Sequence, residues 1–191
     1  LLISDPFRDD AEFDLAPLPE VAVSLLVEAG APPRLAAHLR LVHDVAGKLI
    51  DTVTSIWPQL EVDREALLFG AATHDIGKAM HPNELYQPGS DHEIAGRRFL
   101  LERGIADRLA RFAETHAAWK TTDNCSLEDL FVGLADTCWK GKRSERLEDM
   151  LCSAILAQTS GDRWTIFAAL DELLQALTVD GDRRLAWQSQ Y

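Results

Sequence analysis

Cysteine is sparse in this 191-residue chain: Cys125, Cys138 and Cys152 are odd in number and none sits in a C-x-x-C pair. That usage fits packing thiols in a reducing compartment and leaves no disulfide framework to expect. Positive charge is also scarce. Nineteen Lys and Arg face 31 Asp and Glu, a formal net charge of -12, which argues against nucleic acids or anionic membranes as partners through bulk electrostatics. A small anionic substrate would need local cations or metals to overcome that field. No apolar run approaches the roughly 20 residues of a membrane span, and no signal-peptide pattern precedes the fold, so the expected location is the cytoplasm. The chain opens on Leu1 rather than methionine, so its natural start is expected to be missing. Alternating strand patterns and internal repeats are absent too. What remains is a chain with 47% hydrophobic residues, rich enough in core formers to exclude disorder and of a length that suits one domain.

The apolar periodicity is helical throughout, and the expected class is all-α. Residues 1–16 are mixed and acidic and read as a loosely held arm, leaving 17–191 as a single helical domain. Helices are expected over about 19–28, stopping at Gly30, and from Pro32-Pro33 to about Trp57, ended by Pro58. The second of these shows a narrow polar arc of Arg40, Asp44, Lys48 and Asp51, which removes Asp44 from the candidate ligands. Asp63 is the expected N-cap of the next helix. Residues 81–89 form a loop marked by Pro82, Asn83, Pro88 and Gly89. Ser90-Asp91-His92-Glu93 fits a capping box opening a helix to about 103, with Gly104 as its stop. Further helices are expected over about 105–119, 126–139, 144–159 and 163–179, with a short terminal one.

The chain is organised around Thr73-His74-Asp75-Ile76-Gly77-Lys78, at the end of a run that is apolar almost all round. His74 continues the stripe of Leu67 and Ala71, and Asp75 that of Leu68 and Ala72. Both side chains therefore point inward, about 100° apart, as two ligands of one ion would. Lys78 lies a turn beyond His74, and Gly77 offers the turn that ends the helix. An isolated His-Asp pair more often means a core histidine beside a solvated aspartate. Other candidates shift the balance. His43 lies within the stripe Ala36, Leu39, Ala46 and Ile50, while His38 falls on the opposite edge of the same apolar face, too far round to share an ion with it; one of the two is a packed core histidine. His92 occupies a first helical turn in line with Gly96 and Phe99. His116 follows Ile105, Leu109 and Phe112 on one face. Asp136 stands in the nearly uncharged run 131–139 and needs a partner there.

In order, His43, His74-Asp75, His92, His116 and Asp136 resemble the ligand pattern of the HD-domain superfamily of metal-dependent phosphohydrolases, over roughly residues 34–140. The resemblance implies a helical bundle of that type, with extra C-terminal helices over 144–188. It also implies two divalent transition-metal ions (Fe, Mn, Co, Ni or Zn). His43, His74, Asp75 and Asp136 would hold the first ion and His92 and His116 the second, with Asp75 bridging. A water between the ions, brought near neutral pKa, would attack a phosphoester or phosphoanhydride of a nucleotide-like substrate. Asp75 and Lys78 would carry the catalysis; Lys78, His81, Lys140 and Arg143 would hold phosphates. The nearest likeness is to small bacterial HD proteins that hydrolyse symmetrical dinucleoside tetraphosphates. The cyclic-dinucleotide branch has a His-His pair and a Gly-Tyr-Pro motif, whereas here Thr115 precedes His116 and no such tripeptide occurs. Two other readings keep the fold. Mixed-valence di-iron oxygenases share the same ligands, and a decayed binding module would not retain them all. Trp119 and Trp139 are expected in the core, with base stacking as the alternative. Oligomeric state is not legible in the sequence.

Overall fold

The computed structural model describes residues 5–7 and 13–191, and among these it contains ten α-helices, three short 3₁₀ helices and no strand. The first four helices are α1 (Glu20–Glu28), α2 (Pro33–Ile56), α3 (Arg64–Thr73) and α4 (Asp91–Glu102). Then come two single turns, α5 (Asp107–Ala110) and α6 (Phe112–Thr115), followed by α7 (Leu127–Cys138) and α8 (Glu145–Gln158). The chain closes with α9 (Arg163–Thr178) and α10 (Gly181–Gln188). The all-α expectation holds. None of these helices is long and apolar enough to cross a membrane.

Helix α2 is the axis. Pro33 in its first turn has the fixed φ a helix start requires and lacks only an N–H that would have been unsatisfied anyway. From Leu35 to Ala46 every residue of α2 is buried. Leu41, Val45 and Leu49 share one cluster with Phe131 and Leu134 of α7 and Leu151 of α8. Leu35 and Leu39 share a second with Leu26 of α1, Phe69 of α3 and Leu100 of α4. Each such leucine, fully withdrawn from water, contributes about 2 kcal/mol.

Burial on all sides corrects the reading of the polar arc. Arg40 and Asp44 are 1% and 2% exposed, because the chain before α1 lies over them. Arg40 donates to the carbonyls of Pro6 (3.0 Å) and Leu15 (3.1 Å), and Asp44 accepts from the Ala16 N–H (3.1 Å). Residues 5–7 and 13–16 are thus tied to α2, while 1–4 and 8–12 of the expected arm lie outside the described residues. Asp44 also pairs with Lys48 at 2.6 Å.

Several helix ends match their sequence signals. Asp63 accepts from the Ala66 N–H, and Gly30, Gly104 and Gly141 take positive φ, where side-chain-bearing residues are strained. Two expectations fail. The continuous helix over 105–119 is instead α5, α6 and a 3₁₀ turn at Ala118–Lys120. Its polar residues are drawn to the start of α7: Arg111 donates to Asp129 (2.6 Å) and Ser126 (3.0 Å), and Thr115 to Asp129 (2.7 Å). Ser90 makes no capping bond. The N–H groups of Asp91 and His92 are met by Glu84, from the 3₁₀ turn Pro82–Leu85 in the preceding loop, at 3.1 and 3.2 Å.

Candidate metal centre

Helix α3 stops at Thr73, earlier than its apolar pattern suggests, and a 3₁₀ turn follows at Ile76–Ala79. Gly77 is needed there for closeness rather than for a left-handed turn. A Cβ at this position would lie 1.9 Å from the His92 carbonyl oxygen and 2.7 Å from the Gly96 nitrogen. Backbone therefore packs on backbone, which brings the first turn of α4, and His92 with it, against the His74-Asp75 corner.

Asp75 is the centre of the arrangement and is 3% exposed. Its two carboxylate oxygens face different histidines. Oδ1 lies 3.1 Å from His92 Nε2 and 3.7 Å from His116 Nε2. Oδ2 lies 3.2 Å from His38 Nε2 and 3.7 Å from His74 Nε2. Asp136, on α7, places Oδ1 at 3.5 Å from His38 Nε2 and 3.8 Å from His74 Nε2. Two triads result, His38-His74-Asp136 and Asp75-His92-His116, the ligand atoms in each lying within 4.8 Å of one another. Bonds of about 2.0–2.2 Å from nitrogen or oxygen to a transition-metal ion place neighbouring ligand atoms about 3–3.6 Å apart.

The protons make the case for a cation. His74 Nδ1 lies 3.1 Å from the Ala71 carbonyl and His116 Nδ1 3.2 Å from the Phe112 carbonyl. Carbonyls only accept, so both Nδ1 atoms carry the hydrogen and both Nε2 atoms present lone pairs. His92 Nδ1 meets the Glu84 carboxylate in the same way. His38 Nε2, His74 Nε2, His92 Nε2 and Asp75 Oδ1 are all buried without a hydrogen-bond partner. On His74, His92 and His116 the Nε2 lone pairs converge with the oxygens of Asp75 and Asp136, and at these distances they repel one another unless positive charge sits between them. The donor set, imidazoles and carboxylates, suits a divalent transition metal.

The ionisation of the cluster follows from burial and mutual contact. Burial would push the Asp75 carboxyl up, but His74, His38, His92 and His116 outweigh it and hold it well below the usual carboxylate range. Asp136 is lowered likewise: its burial is overcome by His74, His38 and Lys140. Burial pushes His38 below its ordinary value, and burial with the neighbouring His74 takes His116 down to about 4. The site thus favours anionic carboxylates and, at His38 and His116, the neutral imidazoles that bind metals, whereas at His92 burial is outweighed by the Asp75 and Glu84 carboxylates, which raise it above its ordinary value.

One expected ligand is displaced. His43 does not reach the cluster; it faces a shallow cleft with Pro19, Arg64, Leu68 and Phe69, and its burial lowers it to about 4. His38 stands in its place, edge-on to His74 at 5.4 Å and to Trp139 at 5.1 Å. The two histidines are five residues apart, about 140° around the helix, so only one can face this corner. The structure brings His74, Asp75, His92, His116 and Asp136 together around this corner.

A cleft of about 230 Å³ opens over the cluster, and Lys78, Lys120 and Lys140 are among the residues lining it. Lys78 Nζ lies 2.5 Å from Asp75 Oδ2, and Lys140 Nζ 3.8 Å from Asp136 Oδ2. Lys120 was not marked by any sequence signal; it belongs to a polar loop and is placed by the 3₁₀ turn after His116. Trp119 also lines the cleft, whereas Trp139 is buried behind His38. Two expected phosphate contacts are not there. Arg143 is committed to Glu148 (2.6 Å) and Asp171 (2.8 Å), and His81 falls outside the cleft, near Glu84 and Asp91.

The HD-domain family model matches residues 35–139, more than half of the chain. The chain belongs to the HD-domain family. Membership suggests metal-dependent hydrolase activity, and the two His/Asp triads of this HD domain are compatible with divalent metal binding. The chain is also similar to a tRNA (cytidine(56)-2'-O)-methyltransferase of Picrophilus torridus, with 30% identity over 92 residues. The match spans 48% of this chain but only 23% of that protein. No solved structure matches.

Proposed function

We propose that this HD domain is a phosphohydrolase that binds two divalent transition-metal ions and cleaves a phosphoester or phosphoanhydride of a nucleotide-like substrate. The observation that carries the reading is the division of Asp75, one oxygen toward His38 and His74 and the other toward His92 and His116. That is the disposition of a carboxylate shared by two cations. Ions held by the two triads would supply Lewis-acid polarisation of the phosphoryl group and an attacking water of lowered pKa.

The chain's own residues do the rest. Lys78 sets a positive charge beside Asp75, where phosphate oxygens would gain charge as the bond breaks. Lys120 and Lys140 line the cleft over the same cluster and oppose the field of a chain with net charge -12. Three lysines around one cleft favour a polyphosphate over the small organic substrate of a di-iron oxygenase. The burial of Asp75 and His74 keeps bulk water from competing for the ligands.

The test is phosphate release by Mn²⁺-loaded protein from a panel of mononucleotides, cyclic dinucleotides and symmetrical dinucleoside tetraphosphates. Release from at least one class is expected, falling by roughly 10³-fold or more in Asp75→Ala. A fully metallated protein inert to the whole panel overturns the proposal.

A further inference from the structure

The proposed ligands leave two carboxylates of the cleft without a role, Glu84 and Glu93, and of these Glu84 makes the closer contacts to the cluster. Glu84 sits in the loop between the HD turn and α4, its side chain 11% exposed, and it receives three donors from one short stretch of chain. Oε1 accepts from the Asp91 N–H at 3.1 Å, and Oε2 accepts from the His92 N–H at 3.2 Å and from the His92 ring at Nδ1. The helix start and the imidazole are thus gripped by the same group, so the ring is fixed relative to its own backbone.

The loop is shaped to allow this. A Cβ at Gly89 would lie 2.4 Å from Glu84 Oε1 and 2.5 Å from its Cδ. The bare glycine lets the carboxylate lie flat over the chain and reach α4. Ser90, which has the sequence signature of the cap, makes no capping bond.

We propose that Glu84 is the positioning residue of the centre: it holds the hydrogen of His92 on Nδ1 and turns the Nε2 lone pair toward Asp75. The inference rests on the metal-centre reading above. His74 and His116 obtain the same tautomer from carbonyls of their own helical turns, at Ala71 and Phe112. His92 stands in the first turn of α4, where no preceding turn exists to offer a carbonyl. A group from outside the helix must accept the Nδ1 hydrogen, and Glu84 is that group. An anionic acceptor also makes the ring a stronger donor to a cation than a carbonyl does.

The experiment compares wild type with Glu84→Gln and Glu84→Ala, the glutamine keeping the shape and an acceptor for the backbone. Long-range proton–nitrogen NMR on metal-free protein at about pH 8.5, above the ordinary imidazole value, reads the tautomer directly. Wild type is expected to show His92 protonated at Nδ1, Glu84→Gln a weakened hydrogen bond, and Glu84→Ala a mixture of tautomers. Titration with Mn²⁺ is expected to show affinity reduced about 10- to 100-fold at one of two sites in Glu84→Ala, with the other site little changed. An unaltered His92 tautomer in Glu84→Ala overturns the proposal, as does equal weakening of both sites. If wild type binds no Mn²⁺, the metal-centre reading fails on its own, and the tautomer still decides the role of Glu84.

Discussion

His43 is buried at 7% exposure with its Nδ1 unpartnered, outside the cluster that holds the other four buried histidines. Burial lowers it from 6.5 to about 4, helped by Arg64 and Arg40 and opposed by Asp44. An unfolded chain takes up this proton near pH 6.5, whereas the folded protein resists until about pH 4. Stability is therefore lost as pH falls across that window, by on the order of 3 kcal/mol for this residue. Urea unfolding at several pH values is expected to show a shallower acid limb for His43→Gln than for wild type. Parallel limbs would mean that His43 is not held neutral by burial. The same substitution should leave metal binding intact, since His43 contributes no atom to either triad.

Gly77 shows how two elements are held at contact distance. With no side chain there, the 3₁₀ turn after Asp75 lies against the first turn of α4, and Gly96 completes the fit from the other side, 3.0 Å from the Gly77 nitrogen as measured from its own ideal Cβ. Gly77→Ala is expected to cost about 1–3 kcal/mol by overpacking and to weaken metal binding by moving His92 from Asp75. A variant with wild-type stability and metal affinity would show that the close approach is not needed. At this scale the sequence was a good guide wherever the signal was local: Asp63 caps the helix it precedes, and a helix opens after Ser126. It failed where tertiary contact overrode local pattern. Ser90 yielded its role to Glu84, seven residues before Asp91, and residues 105–119 broke into turns as Arg111 and Thr115 reached for Asp129. His38 was misplaced for a related reason. Amphipathicity separates inside from outside, but α2 is interior on every side from Leu35 to Ala46. Measured from the centre of the polar arc, His38 lay only about 20° deeper into the apolar face than His43 at 100° per residue, too small a margin to choose between them.

Across the whole molecule, α2, α4, α7 and the chain just after α3 and α6 each hold part of one polar cluster, so ions bound there would cross-link elements far apart in sequence. Binding to the folded state alone should stabilise it, by about 2.7 kcal/mol at a free metal concentration 100 times the dissociation constant. For a chain of this size that corresponds to a rise of roughly 5–10 °C in melting temperature. The rise should reverse with a chelator and vanish in Asp75→Ala, which by itself relieves a buried anion from a crowded site. No change in melting on adding Mn²⁺, Zn²⁺ or Fe²⁺ would count against a cluster built to bind cations. The match to the HD-domain family, which begins at residue 35 and ends at 139, includes all six candidate ligands and leaves α8, α9 and α10 outside. Those helices contribute Leu151, Leu170, Leu174 and Trp187 to the core beneath α2 and α7, and so support the site from behind.

The most direct measurement is anomalous diffraction from crystals grown with Mn²⁺ or Zn²⁺. The account predicts two peaks, one among His38, His74, Asp75 and Asp136 and one among Asp75, His92 and His116, with none at His43. Peaks elsewhere, or a fully soaked crystal with no anomalous scatterer beside Asp75, would contradict it.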